Sequence, residues 1–142
     1  MITYHKQSAP VPKIQRRLLG QWIRTVAAKY GKKVGEVAYI FCSDEGILAV
    51  NREYLHHDYY TDIITFDYSE GEHISGDIFI SIDTVRSNSK KFQTLYPNEL
   101  HRVLIHGILH LCGLKDKGNG QRAKMEAAEN EALAELAQMM ER

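Results

Sequence analysis

The stretch Pro97–Cys112 constrains the whole chain, because its pattern is that of a helix apolar nearly all round. Projection at about 100° per residue gathers Leu104, Ile108 and Leu111 on one side, and Val103 and Leu109 extend the apolar surface towards the other. Such a helix cannot lie on a surface, so other elements have to enclose it. Pro97 suits its first position, and Glu99 sits near its positive end. Gly113 can close it in a left-handed conformation that turns the chain back. A chain of 142 residues has room for one core around this helix and too little for two, which predicts a single domain over residues 1–142.

Upstream, Ile2 to Tyr4 reads as a short strand, and Pro10 and Pro12 then interrupt the backbone. Ile14, Leu18, Trp22 and Val26 recur at helical spacing over Ile14–Tyr30, with Gly31 as the stop. Val37–Cys42 suits a buried strand, and Ser43 or Asp44 can cap a helix to about Tyr54. Asp62–Tyr68 and Asp77–Ile82 read as strands with a loop over Ser69–Gly76 between them. Helices over about Asp83–Phe92 and Gln121–Glu141 complete the order, the last preceded by a break at Gly118-Asn119-Gly120. Strands and helices mix without strict alternation. The expected fold is α+β: a small mixed sheet with about five helices, the long apolar one central and buried.

That helix carries two histidines, His106 and His110, one turn apart and therefore on the same side. Asp116 follows just beyond Gly113, where a reversing chain can bring it back towards the rings. Two readings are open. The histidines can be hydrogen-bonded core residues, or they can hold a metal with Asp116, leaving a fourth position for water as in catalytic zinc sites. A pair on one face, with a glycine stop and an acid behind it, favours metal. In the zinc-protease pattern a glutamate follows the first histidine as general base. Here that position is Gly107, which has no side chain and lets another backbone or a substrate come close. Cys112 and His101 project away from the pair.

Lys plus Arg equals Asp plus Glu, so bulk charge gives no affinity for nucleic acid and any RNA binding needs a local patch. Cys42 and Cys112 lie far apart and outside any CxxC, which fits a reducing compartment. The first residues lack a signal-peptide pattern, and no apolar run approaches the length of a membrane span. These features predict a cytoplasmic protein with no membrane partner.

The segment His106-Gly107-Ile108-Leu109-His110-Leu111-Cys112-Gly113 resembles the signature of the YbeY family, H-G-x-L-H-L-x-G-Y-D-H. The likeness extends to Asn51, Tyr54, Asp58, Thr61, Asp62 and Phe66, to Gly76-Asp77-Ile78, to Glu99-Leu100, and to Met125 with Glu129. It implies a zinc-dependent, single-strand-specific endoribonuclease acting in late 16S rRNA 3′-end maturation and ribosome quality control. The implied partners are the single-stranded rRNA precursor and the ribosome or its proteins. One zinc ion, or another divalent metal, would sit on His106, His110 and Asp116, the last standing where the family has a third histidine. Lys115 replaces the family's aspartate just before it.

A second departure touches activity: the family arginine after the Tyr of N-x-x-Y-R is Leu55 here, which can neither bind phosphate nor stabilise developing charge. Arg52, His56 or His57 could substitute, or His56-His57 is an ordinary solvated pair. No general base is identified beyond water activated by the metal. Asp62 and Asp77, each at a strand start, could orient water or brace a ligand histidine, or simply cap loops. Tyr59 and Tyr60 could stack on bases or pack beside strands. Arg52, Lys115 and Lys117, with Arg122, are candidate RNA contacts or a solvated turn. Two other functions stay open. A non-catalytic assembly factor stabilised by its metal fits Leu55 and Gly107. A different zinc hydrolase, such as a peptidase, lacks the expected base at Gly107.

Overall fold

The structure, a computed structural model, describes residues 1–141. The chain runs β1 (Ile2–Lys6), α1 (Arg16–Lys29), β2 (Lys33–Cys42), α2 (Asp44–Leu55), β3 (Ile63–Asp67), β4 (His73–Ser81), α3 (Ile82–Lys91), α4 (Tyr96–Leu111) and α5 (Gln121–Met140). The four strands form one sheet in the order β1-β2-β4-β3. β1, β2 and β4 are parallel, and β3 returns antiparallel along β4. The fold is the small mixed sheet with five helices expected from the residue pattern.

Two stretches differ from expectation. His73–Gly76 belongs to β4 and not to a loop. The Glu70–His73 bridge closes the turn before it, and Ile74 and Gly76 are buried. Serine and glycine in this stretch masked its alternation. β2 likewise begins at Lys33, because Lys33–Val34 pairs with His73–Ile74 before a register shift.

Alternation along β4 separates two layers. Ile74, Ile78 and Ile80 join the main core with α1, α4 and α5. Phe79 faces the other way, into a smaller cluster with Ile40, Ile47, Val50, Ile64 and Phe66 under α2. Buried polar hydrogen bonds tie the main layer together. Trp22 Nε1 donates to the Ala132 carbonyl, joining α1 to α5, and the Tyr39 hydroxyl donates to the Leu104 carbonyl, joining β2 to α4.

α4 is buried nearly all round, as its composition demands. It lies close on the sheet because Gly107 faces it. A Cβ there would meet Ile78 Cδ1 at 2.9 Å and Ile78 Cγ2 at 3.0 Å. The close approach that Gly107 permits is thus that of β4 and not of a substrate.

Candidate metal centre

α4 ends in a Schellman turn. The Gly113 N–H donates to the His110 carbonyl, the Leu114 N–H donates to the Leu109 carbonyl, and Gly113 has φ +104°. The chain reverses there, and Asp116 comes back over the helix it has just left. Asp116 Oδ2 lies 3.3 Å from His106 Nε2. Two donors each ~2.0–2.1 Å from a tetrahedral zinc stand ~3.3 Å apart, so this spacing suits two ligands of one ion.

The other ring nitrogen of His106 is engaged from α5. His106 Nδ1 donates to Glu129 Oε2 at 2.7 Å. Glu129 is 8% exposed, and its second oxygen accepts from Arg102 Nη1 at 2.9 Å. Arg102 also donates to Asn130 Oδ1 at 2.7 Å. An N–H held at Nδ1 leaves the Nε2 lone pair pointing outward, the tautomer a metal requires. Burial pushes the His106 pKa down. The Glu129 hydrogen bond, with the charges of Glu129, Asp116 and Asp62, outweighs that and raises it overall.

His110 stands one turn on, exposed, its ring centroid 6.4 Å from that of His106. Among the described residues no three His, Cys, Asp or Glu side chains converge on a common point. The donor chemistry nonetheless fits a zinc-type ion: two imidazoles, one carboxylate, and a buried carboxylate bracing the first imidazole.

Asp62 lies close enough to His106 and Glu129 for their charges to act on its carboxyl. Burial pushes its pKa up, and His106 pulls it partly back. The remaining candidates lie elsewhere. Asp77 sits on the face of β4 opposite Ile78, in register with Phe66, so it points to the α2 side and away from α4. Its place at the start of an expected strand hid this, because facing is set by register. His56 is the left-handed C-cap of α2, and the His57 N–H that follows it donates to the Asn51 carbonyl. His57 stacks on Tyr59, whose hydroxyl lies 3.0 Å from His57 Nδ1. Arg52 is exposed and paired with Asp58, and Lys115 and Lys117 are exposed on the turn that carries Asp116. Leu55 is 38% exposed at the end of α2.

The braces of the site, Arg102 and Asn130, escaped sequence reasoning, and Glu129 entered it only as a point of family likeness. One signal was available. Glu129 interrupts the buried stripe Met125, Ala132, Leu136 of α5, and a lone acid in such a stripe needs a partner.

Comparison with known proteins agrees with this architecture. The family profile described as "Endoribonuclease YbeY" matches residues 1–137. A curated "Endoribonuclease YbeY" of Phocaeicola vulgatus is 65% identical over 134 residues, covering 94% of this chain and 97% of its own. A protein of the same name from Bacteroides thetaiotaomicron is 62% identical over 133 residues, with 94% and 97% covered. A solution structure of a Thermotoga maritima protein superposes with a TM-score of 0.64 at 24% identity, over 97% of this chain and 93% of that one, a likeness of fold.

Proposed function

The chain belongs to the YbeY family of endoribonucleases, and from that premise we propose that it cuts single-stranded RNA at a divalent metal, zinc in the first instance, held by His106, His110 and Asp116. The proposed setting is late maturation of the 16S rRNA 3′ end and ribosome quality control in the cytoplasm, with the rRNA precursor and the ribosome or its proteins as partners. Residues 1–142 would act as one metallohydrolase domain. No helix among the described residues is long and apolar enough to cross a membrane.

The observation that carries the reading is the two-sided hold on His106. Glu129 fixes Nδ1–H, and Nε2 faces Asp116 at a spacing suited to shared ligation. A divalent ion bound there supplies Lewis acidity, which makes water a better nucleophile and offsets charge on the scissile phosphate. The chain's own contribution is positional. Glu129 keeps His106 in one tautomer, Arg102 keeps Glu129 oriented, and Asp62, a carboxyl of raised pKa near enough to feel the His106 charge, is the proposed proton acceptor. A protease-type base at Gly107 has no room, since that position is filled by Ile78.

The test is metal content together with cleavage of a single-stranded RNA by wild type and His110→Ala. Stoichiometric metal and cleavage in wild type, both reduced in the variant, support the proposal. Full cleavage by a metal-free or His110→Ala protein overturns it.

One observation favours a second reading, a non-catalytic assembly factor stabilised by its metal. Leu55 presents no charge where the family has arginine, and Arg52, the nearest guanidinium in sequence, is paired with Asp58. That reading predicts metal-loaded protein that binds rRNA without cutting it.

A further inference from the structure

Helix α1 carries Arg16, Arg17, Arg24 and Lys29 and no acid. Lys29 is engaged by Glu131 and Glu135 of α5. The three arginines make no ion pair within 4.0 Å among the described residues. Arg16 and Arg17 occupy the first turn, the positive end of the helix, where cations are disfavoured, and no side chain caps that end.

These arginines line a groove of about 480 Å³ between α1 and the edge strand β1, together with Ile2, Tyr4 and Gln21. Arg16, Gly20 and Arg24 form one stripe on successive turns. Because Gly20 has no side chain, the Arg24 guanidinium folds back over it, with Nη1 3.0 Å from the place a Cβ would take. The Arg16 guanidinium carbon lies 5.1 Å from the Tyr4 ring centroid. The Tyr4 hydroxyl is enclosed and has no hydrogen-bond partner. Burial pushes its pKa up, with Arg16 and Arg24 pulling partly back, so it stays a proton donor. Three guanidinium groups, with no carboxylate among them, form a donor set for phosphate.

We propose that this groove holds a backbone phosphate of the RNA and anchors the strand away from the histidines. The proposal rests on the ribonuclease reading for the identity of the polymer. It also fits a chain with zero net charge, in which affinity for RNA has to come from a local concentration of cations. α4 packs on β3 and β4, whereas the groove borders β1. Three strand spacings separate the two edges, ~14 Å, so the anchored phosphate belongs to a different part of the strand from the scissile one.

The test compares wild type with Arg16→Gln/Arg24→Gln. Removing a cation from the first turn spares the helix. Binding of single strands of about 30 nucleotides is read by fluorescence anisotropy across salt, with metal content and far-UV circular dichroism as references for an intact site and fold. The double variant should bind the long strand about ten-fold more weakly, with a salt slope lower by about 0.7 for each phosphate it no longer neutralises, and should keep wild-type metal content and circular dichroism. Inorganic phosphate should shift the Arg16 and Arg24 side-chain NMR resonances. Unchanged affinity and slope for the long strand overturn the proposal. Loss of inorganic phosphate binding with RNA binding intact also overturns it and assigns the groove to another phosphorylated partner. If wild type cuts no RNA, the ribonuclease reading fails on its own, and the binding comparison still decides the groove.

Discussion

Glu129 and His106, 23 residues apart on two helices, share a 2.7 Å hydrogen bond that fixes which ring nitrogen faces outward. The bond joins α5 to α4 at the point where Asp116 returns, so the last helix holds a candidate ligand as well as the core. Arg102, bound to the same carboxylate, and Asn130 behind it make this a network of four side chains.

Glu129→Gln keeps the size of the side chain but removes its charge. Zinc affinity should fall about 10–100-fold, the usual effect of losing a carboxylate behind a ligand histidine. Competition titration with a chromogenic chelator measures it. An affinity within about two-fold of wild type would place Glu129 outside the site's support.

Gly107→Ala tests the close packing of α4 on the sheet. The new Cβ would press on Ile78 and, at 3.3 Å, on Ile63 Cδ1. Overpacking costs about 1–3 kcal/mol, and the better helix propensity of alanine returns at most about 1 kcal/mol. Urea denaturation should show a net loss. A variant as stable as wild type would mean that the isoleucines yield freely.

His101 gives a pH dependence separate from the metal centre. Burial beside Trp22 pushes its pKa below 6.5. A histidine depressed in the folded state adds stability in full above its unfolded pKa and loses it as pH falls towards the folded value. The share of the folding free energy that His101 contributes should therefore decline as pH drops below about 6.5, so wild type should lose more stability over that range than His101→Gln, the opposite contribution of His106 being common to both. NMR titration of the His101 ring checks the direction directly.

Leu55→Arg restores a cation at the end of α2. If that position meets the substrate, cleavage of single-stranded RNA should rise about ten-fold or more with metal affinity unchanged, in line with the strength of charge stabilisation at phosphates. Equal rates in variant and wild type would show that the site works without a guanidinium there.

Periodicity made most of the architecture legible. The apolar stripe of α1, the run Val37–Cys42 and the glycine stop at Gly113 each report a local rule, and each appears where the residues indicate. The approach of Asp116 to His106 was also accessible, because a Schellman turn has a fixed hand. The facing of Asp77 was not accessible, since it depends on the register of β4 against β3, which residue types at a strand start do not encode. The link from Arg102 to Glu129 was hidden for a related reason: it arises where two helices cross, and no pattern within either helix specifies the partner.

The seating of Gly107 against Ile78 leaves His106 and Asp116 held in different ways. α4 is pressed on the sheet at the residue after His106, and Glu129 holds the His106 ring from α5. Asp116 lies on a turn bounded by Gly113 and Gly118, both at positive φ. If a metal sits on these residues as proposed, differences in ionic radius should be taken up by that turn more than by α4. Exchanging the residues between the two glycines should then alter metal preference while the His106–Glu129 pair stays as it is.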